Sequence, residues 1–365
     1  MNNLDTLRGS GLIRSLSARL SSLELAERTT IMEVCGTHTM AIRRAGLPSI
    51  LPENLRLLSG PGCPVCVTPV SYIDTALAIA RKHGAILATF GDMMRVPGSR
   101  ETLAGLRSEG FPVEIVYSPL GAVELARNNP ERPVVFLAVG FETTAPAVAA
   151  SVIQAAETGI GNFGILTAHK RILPALQTLV SGEGPDIDGF LLPGHVSVVL
   201  GAEPYRIIPD KYRRACVITG FETADVIQGI LMLVEQIRSK VYSVDNQYTR
   251  AVKPRGNPQA RAFIDRVFTP ADTEWRGFGT IAESGLAIRE EFAGFDAARL
   301  FPVESVESRE PPGCRCGDVL KGLIEPPECP LFAESCTPLN PVGACMVSSE
   351  GTCAAFYKYS RMKGR

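Results

Sequence analysis

Short apolar runs alternate with segments of helical periodicity between residues 30 and 240, and this alternation limits the possible folds most strongly. The runs are typical of buried strands and lie at residues 30–34, 55–58, 85–90, 113–117, 134–139, 164–168, 189–192 and 216–219. Amphipathic patterns at residues 69–82, 99–108, 145–157 and 224–239 separate several of them. Because strands that alternate with helices build parallel sheets, the sequence predicts an α/β fold.

The number of predicted units allows two architectures, since eight units could close into one barrel or split into two open sheets. Their uneven lengths favour two small doubly wound parallel-sheet domains, at residues 26–118 and 119–240. Beyond residue 240 the pattern changes, and eight prolines fall between residues 301 and 341. Residues 241–365 are therefore expected to form a mostly irregular and helical C-terminal domain. The apolar spacing within residues 1–25 predicts a helix that joins this domain.

Charge and hydropathy argue against two classes of partner. The chain has 37 Lys and Arg residues against 38 Asp and Glu residues, without the basic excess that nucleic-acid binding requires. Its apolar runs are far shorter than the roughly 20 residues that cross a bilayer. The first ten residues, MNNLDTLRGS, lack the apolar stretch of a secretory signal. We therefore expect a cytoplasmic protein that binds neither nucleic acid nor membranes.

Six of the ten cysteines lie within the segment 314–353. In a reducing compartment such a block is more typical of metal binding or redox chemistry than of structural disulfides. The irregular spacing of the last four favours a [4Fe–4S] cluster over a structural zinc, whose ligands usually come in close pairs, and unmetallated thiols are a third possibility. The six residues are Cys314, Cys316, Cys329, Cys336, Cys345 and Cys353.

Reactive side chains follow several of the predicted strands, at the sheet edge where α/β proteins bind ligands. Cys35 and His38 lie at a turn from the first strand into a helix, where a thiolate is stabilised and where both side chains suit a soft metal. A buried inert cysteine and a turn-capping histidine are the alternative. Glu142 and His195 follow the fifth and seventh strands, and Glu142 could cap a helix or act as an acid or base.

Cys63 and Cys66 form a C-x-x-C motif in a Gly- and Pro-rich loop just before a predicted helix. The positive end of the helix dipole should favour the thiolate there. The pair could be a reversible dithiol and disulfide or half of a metal site. Because the chain contains no second C-x-x-C motif, a redox role is favoured.

Five motifs and the C-terminal cysteine pattern together resemble the HypD family of hydrogenase maturation proteins. The resemblance extends from about residue 10 to about residue 360. The motifs are CGTH at 35–38, GPGCPVC at 60–66, GDMMRVPG at 91–98, GFETT at 140–144 and PGHVS at 193–197, and the ending runs from CRCG at 314–317 to EGTC at 350–353.

The resemblance implies a redox-active scaffold that assembles the Fe(CN)2CO unit of [NiFe]-hydrogenase. Such a scaffold holds iron together with a HypC-type small chaperone and accepts cyanide from a HypE-type partner. Whether it is an enzyme is a matter of definition, because turnover takes place on a bound metal fragment that is shared with partners. Cys35 would bind the iron that carries CN and CO, with His38 beside it. The expected catalytic residues are Cys35, His38, Cys63, Cys66, Glu142 and His195. The resemblance also implies a redox pair at Cys63 and Cys66, a [4Fe–4S] cluster on Cys329, Cys336, Cys345 and Cys353, and a second thiol pair at Cys314 and Cys316.

Two other functions remain open on the sequence alone. One is a self-sufficient [4Fe–4S]-dependent thiol/disulfide oxidoreductase, which would reduce a disulfide substrate without the chaperone and bind no further iron at Cys35. The other is a zinc-stabilised binding module, which would be colourless and would lack acid-labile sulfide.

Overall fold

A computed structural model describes residues 7, 9–182, 184–304 and 307–360. In this part of the chain, nine strands form two parallel sheets and two strands form an antiparallel hairpin. The strands are β1 (Thr29–Glu33), β2 (Leu55–Ser59), β3 (Ile86–Thr89), β4 (Val113–Ile115), β5 (Val134–Gly140), β6 (Phe163–His169), β7 (Gly189–Pro193), β8 (Ala215–Thr219), β9 (Val244–Asn246), β10 (Phe268–Trp275) and β11 (Gly279–Ile288).

Both parallel sheets are doubly wound. The first has the strand order β2-β1-β7-β8-β9 and the second has the order β4-β3-β5-β6. In each sheet the chain enters on an inner strand, adds one neighbour on one side and then builds outwards on the other side. All eight predicted strands are present, and the predicted α/β class with doubly wound parallel sheets is confirmed.

The two sheets do not follow one another along the sequence. Strands β1 and β2 pair with β7, β8 and β9, whereas β3 to β6 make up the whole second sheet. The expected domains 26–118 and 119–240 instead grouped β3 and β4 with β1 and β2. The strand pairing divides the chain differently, because the chain leaves the first sheet after β2 and returns to it only at β7. Local apolar patterns carry no information about such long-range pairing.

Helices cover the sheets and connect their strands, and their ends follow local signals. Gly84, with φ at +63°, ends the helix Val70–His83, and a capping box of Glu222 and Asp225 begins the helix Thr223–Ser239. The other α-helices of the described part are Ser10–Ser21, Gly36–Arg44, Pro64–Val67, Leu103–Ser108, Pro119–Asn128, Ala145–Glu157, Ile172–Ser181, Gly194–Leu200, Ile207–Tyr212, Pro258–Val267, Ala297–Leu300, Cys316–Leu320 and Thr352–Ser360.

The N-terminal helix packs on the first sheet's helical layer. Leu16 and Leu20 are buried in one apolar cluster with Ile227 and Leu231 of the helix Thr223–Ser239. The sequence had assigned residues 1–25 to the C-terminal domain, but the apolar face of this helix fits the layer over the first sheet instead. Residues 1–6 and 8 of that predicted helix lie outside the described part.

The C-terminal region is irregular in its cysteine-rich segment but also contains the β10–β11 hairpin, which the sequence did not predict. Its last helix, Thr352–Ser360, packs on the helix Gly36–Arg44, where the Arg43 guanidinium lies 3.3 Å from the centre of the Phe356 ring. One buried apolar cluster includes Leu87 of the second sheet, Phe190 of the first and Cys345 of the C-terminal region. The three parts therefore share a core. Within the described residues, no helix has the length and apolar character needed to cross a membrane.

Candidate metal and thiol centre

A cleft of about 380 Å³ lies at the carboxyl ends of strands β2 to β5, where α/β sheets bind ligands. Cys63 enters it from the loop after β2, Asp92 from the loop after β3 and Thr144 from the loop after β5. Glu350, which is distant in sequence, lines the same cleft. The cleft therefore combines loops of the two sheets with the C-terminal segment.

Cys35 occupies the N-cap position of the helix Gly36–Arg44 and is almost fully buried. Burial raises the pKa of its thiol to about 12, the Glu33 and Glu350 carboxylates add to this effect, and the backbone N–H groups of Thr37 and His38 oppose it by donating to the sulfur. Without a cation, Cys35 is therefore a neutral thiol. A bound metal ion replaces the proton of a coordinating thiol, and these two N–H groups would then stabilise the sulfur's charge.

His38 is fully buried and keeps one ring nitrogen without a partner. Its Nε2 lies 3.0 Å from the Gly220 carbonyl and 3.0 Å from the Thr219 hydroxyl, whereas its Nδ1 has no hydrogen-bond partner among the described residues. Burial lowers the pKa of His38 to about 4, so the imidazole is neutral at pH 7. When Nε2–H donates to the Gly220 carbonyl, the Nδ1 lone pair remains available to a ligand.

His195 lies close to His38 through a shared aromatic neighbour. The Phe221 ring stacks on His195 at 3.9 Å between centroids and lies 4.7 Å from the His38 ring. His195 is exposed on its other side. Partial burial lowers the pKa of His195, and the nearby Glu350 carboxylate opposes this effect only in part. The structure therefore brings the predicted residues His38 and His195 to one place.

Glu142 accepts a backbone hydrogen bond at the start of another helix, Ile172–Ser181. Its Oε1 accepts the backbone N–H of Ile172 at 3.0 Å, at the start of the helix Ile172–Ser181, and its Oε2 has no partner within the described ranges. Burial raises the pKa of this carboxyl to about 7. The buried Tyr205 hydroxyl lies within electrostatic range of both Glu142 and Cys35. Glu142 therefore has a pKa near neutral pH, and Tyr205 is influenced by the charges of both Glu142 and Cys35.

The loops that carry Cys35 and Cys63 touch each other. The Gly36 N–H donates to the Gly62 carbonyl at 3.2 Å, and a Cβ on Gly62 would collide with the Cys35 backbone. Glycine is needed at this position because only a bare backbone can approach so closely. A backbone hydrogen bond therefore joins the loop of the predicted iron ligand, Cys35, to the loop of the predicted redox pair, Cys63 and Cys66.

Cys63 lines the cleft, whereas Cys66 is completely buried behind it on the helix Pro64–Val67, which we call the C-x-x-C helix. Burial raises the pKa of the Cys66 thiol well above its ordinary value, and the neighbouring Cys63 and Cys353 sulfurs add to this effect. Cys353 belongs to the C-terminal cysteine block. The predicted redox pair, Cys63 and Cys66, therefore lies between the cleft and that block.

All six C-terminal cysteines line one small enclosed space, which we call the cysteine cavity. Cys316 and Cys345 form a disulfide in it, whereas the other four are free. Burial raises the pKa of the Cys353 thiol, and charge on any of the other three free thiols raises it further. In this grouping Cys316 is paired with Cys345, whereas the sequence-based expectation paired Cys316 with Cys314 and counted Cys345 among the cluster ligands; the ligand set itself stays a prediction. The four free thiols are Cys314, Cys329, Cys336 and Cys353.

The cysteine cavity has further features of a sulfur-bound group. The Val342 N–H donates to the Cys336 sulfur at 3.4 Å, and a Cβ on Gly343 would lie only 2.5 Å from the Cys314 sulfur. Leu331, Phe332 and Met346 complete an apolar wall. Backbone N–H donors and apolar surroundings are features that tune thiolate-bound clusters.

A [4Fe–4S] cluster and a single zinc ion differ in how far apart they hold their sulfur ligands. In the described ranges, no three side chains of His, Cys, Asp or Glu are grouped as one metal ion requires. Zinc binds four sulfurs at about 2.3 Å each, which forces the sulfurs close together. A [4Fe–4S] cluster binds each thiolate at a different iron, so its ligands surround a cavity at larger separations. The four free thiols that line the cysteine cavity match in number the four thiolates that hold a [4Fe–4S] cluster.

Sequence reasoning missed several groups of the site. Glu33 accepts the Cys35 backbone N–H at 3.0 Å and the Thr39 hydroxyl at 2.5 Å, and Glu350 accepts the Thr37 hydroxyl at 2.8 Å. A carboxylate inside an otherwise apolar strand was an available signal for Glu33. Glu350 gave a weaker signal, since only its place in the EGTC motif singled it out.

Comparison with known proteins gives one consistent result. A family model labelled HypD and described as the hydrogenase formation hypA family matches residues 11–360. The hydrogenase maturation factor HypD of Azotobacter vinelandii is 44% identical over 371 residues, covering 100% of this chain and 98% of that protein. HypD of Escherichia coli K12 is 44% identical over 355 residues, with 96% and 95% coverage. HypD of Cupriavidus necator is 42% identical over 374 residues, with 100% and 98% coverage.

Proposed function

Since the chain belongs to the HypD family of hydrogenase maturation factors, we propose that it is the redox-active scaffold on which the Fe(CN)2CO unit of [NiFe]-hydrogenase is assembled. One observation carries this proposal: the loops of Cys35 and Cys63 are in contact at a cleft, and Cys66 connects that contact to the cysteine cavity. A site for a soft metal and a site for electron storage therefore adjoin each other.

The iron fragment is the substrate, and Cys35 is its ligand from this chain. The Thr37 and His38 backbone N–H groups donate to the sulfur and offset its charge once iron has displaced the proton. The free Nδ1 of His38 offers a neutral lone pair nearby. A HypC-type chaperone supplies a further ligand to the iron, and a HypE-type partner delivers cyanide through the open side of the cleft.

A resident [4Fe–4S] cluster is proposed on Cys314, Cys329, Cys336 and Cys353, the four free thiols of the cysteine cavity. Such a cluster supplies or accepts single electrons when it is bound. Cys316 and Cys345 form a second redox pair at the wall of the same cavity. Cys63 and Cys66 store two electrons as a dithiol between this cavity and the cleft.

A thiol/disulfide oxidoreductase is the second candidate, because two thiol pairs adjoin the cysteine cavity. The two functions differ at Cys35. A scaffold needs this thiol for iron, whereas an oxidoreductase would reduce its substrate disulfide without Cys35 and without a chaperone.

Anaerobic purification followed by iron, sulfide and zinc analysis tests the proposal. We expect Cys336→Ala to lose iron and acid-labile sulfide, whereas Cys345→Ala, the matched control in the same cavity, keeps both. Cys35→Ala should keep the cluster but fail to retain additional iron with the chaperone. Zinc without sulfide in the wild type, or equal cluster loss in all three variants, would contradict the assignment.

A further inference from the structure

The tip of the β10–β11 hairpin lies between the C-x-x-C helix and the cysteine cavity. The Arg276 backbone N–H donates to the Val67 carbonyl at 2.9 Å, and its side-chain Nε–H donates to the Thr68 carbonyl at 2.9 Å. The next residue, Gly277, packs so closely on Gly317 that a Cβ would collide with the Gly317 backbone. One turn therefore contacts both the C-x-x-C helix and the short helix of Cys316.

Arg276 is a buried cation whose hydrogen bonding is incomplete. Only 2% of the residue is exposed. Nη1 donates to Glu310 at 3.0 Å, but that carboxylate is half exposed, and Nη2 has no hydrogen-bond partner among the described residues. Burying a guanidinium without full pairing is costly. The arrangement therefore points to a further source of negative charge beside the guanidinium.

The Cys66 sulfur supplies a place for that charge. Arg276 donates to the carbonyls of the two residues that follow Cys66, and its guanidinium opposes the rise that burial causes in the pKa of the Cys66 thiol. Cys66 is the inaccessible member of its pair, whereas Cys63 lines the cleft. A reductant that enters by the cleft therefore attacks Cys63 and leaves Cys66 to take the charge.

We propose that Arg276 is the counter-ion of the Cys66 thiolate that leaves when a Cys63–Cys66 disulfide is reduced. The inference rests on the proposed redox role of this pair. A thiolate of a dithiol reductant attacks the Cys63 sulfur, and the Cys63–Cys66 bond breaks with its electron pair passing to Cys66. The second thiol of the reductant then displaces Cys63. Both cysteines take up protons, and the reductant becomes a disulfide by losing two electrons.

The expected size of the effect follows from the chemistry of thiol exchange. Exchange is faster when the leaving thiolate is more stable, and a buried thiolate without a counter-ion is strongly disfavoured. Arg276 touches neither the reductant nor the cleft, so it acts as a positioning residue through its charge on Cys66. Its removal should slow the reduction without preventing it.

The test follows the reduction of the pair in the full-length protein. The protein is oxidised with glutathione disulfide, reduced with dithiothreitol at pH 8 and quenched by alkylation. Tryptic peptide 57–81 contains Cys63 and Cys66 and no other cysteine, so mass spectrometry reports this pair alone. We expect Arg276→Met to reduce about tenfold more slowly and Arg276→Lys to recover most of the rate.

Two further variants separate charge from structure. Lys170 is a buried cation 5.8 Å from the Trp275 ring of the same hairpin, so Lys170→Met should leave the rate unchanged. Glu310→Gln removes the carboxylate that competes for the guanidinium and should speed reduction about two- to threefold. Because the Glu310 side chain is half exposed, the Glu310→Gln protein should fold, and its reduction rate tests the inference even where Arg276→Met fails to fold.

The outcomes distinguish the inference from its premise. A folded Arg276→Met protein that reduces at the wild-type rate, an Arg276→Lys protein as slow as Arg276→Met, or a Glu310→Gln protein that is not faster overturns the role of Arg276. A wild-type protein that forms no Cys63–Cys66 disulfide overturns the redox role of the pair, and the inference with it.

Discussion

Individual side chains around the cleft are held in their neutral forms by burial. Burial is the largest influence on the pKa of Cys35, His38 and Glu142, and in each case it disfavours the charged form. The nearby hydrogen bonds oppose burial only in part. Buried groups of this kind become charged only when an opposite charge compensates for the lost hydration, which a bound cation would supply.

Glu142 should make stability depend on pH in a defined direction. Its pKa is about 7 in the folded protein against 4.5 for the free side chain. The folded state therefore holds a proton that the unfolded state has lost between these values, and stability falls as the pH rises through 7. Glu142→Gln cannot ionise, so its free energy of unfolding should rise relative to wild type by about 2 kcal/mol from pH 5 to pH 8.

Urea unfolding at several pH values measures this difference. Glutamine keeps an oxygen acceptor for the Ile172 N–H, so the comparison isolates the ionisation. A difference between the two proteins that stays constant over this range would show that Glu142 does not titrate between these pH values in the folded state.

Among the elements, the β10–β11 hairpin contacts the two helices that each carry one thiol of a pair. Its tip binds the carbonyl end of the C-x-x-C helix and rests on the helix Cys316–Leu320. Trp275 is 1% exposed, and its Nε1–H donates at 2.8 Å to the Ser284 hydroxyl of the facing strand, which joins the two strands of the hairpin. The hairpin tip therefore contacts both thiol-bearing helices.

Two glycines at the hairpin tip allow a matched comparison. Gly277 and Gly279 both have positive φ, at +83° and +73°, but only Gly277 contacts a backbone, that of Gly317. We expect Gly279→Ala to cost about 1 kcal/mol from backbone strain alone. Gly277→Ala should cost about 2 kcal/mol more, because the hairpin must also move away from Gly317.

Urea unfolding of both variants checks the close approach. Equal losses of stability would mean that the contact with Gly317 is not energetically important. A larger loss for Gly277→Ala, with slower reduction of the Cys63–Cys66 pair, would connect the hairpin's position with the chemistry.

The whole molecule joins two sheets and a loop-rich region around one core. The cysteine-rich segment has few regular elements, and its cysteines come from stretches spread over 314–353. Its loops therefore hold together through buried sulfurs and contacts with the first sheet. Binding of the proposed cluster at the four free thiols would add to the stability of the folded arrangement.

Removal of iron and sulfide should therefore loosen this region selectively. We expect trypsin to cut metal-free protein after Arg315 about tenfold faster than anaerobically reconstituted protein. Arg127, on a helix of the second sheet, is the control, since its side chain is 45% exposed against 46% for Arg315. Mass spectrometry of the fragments measures both rates, and equal acceleration at the two sites would indicate general unfolding instead.

Strand positions and the reactive loops were predictable from the sequence, because apolar periodicity is a local property of the chain. Cys35, His38, Cys63 and His195 could be assigned to one edge of the sheets, since loops after parallel strands share that edge. The sequence thereby determined the α/β class and the loops that surround the cleft, of which Cys63 is a lining residue.

Only the tertiary structure decided which strands share a sheet and which sulfurs share a pair. The return of the chain to β1 at β7, the pairing of Cys316 with Cys345 and the grouping of Cys314 with the other free thiols all join residues that are distant in sequence. Arg276 is the clearest case, since an arginine in a turn is ordinarily a solvated charge. Packing alone buries it beside Cys66, because long-range contacts, and not local pattern, set its surroundings.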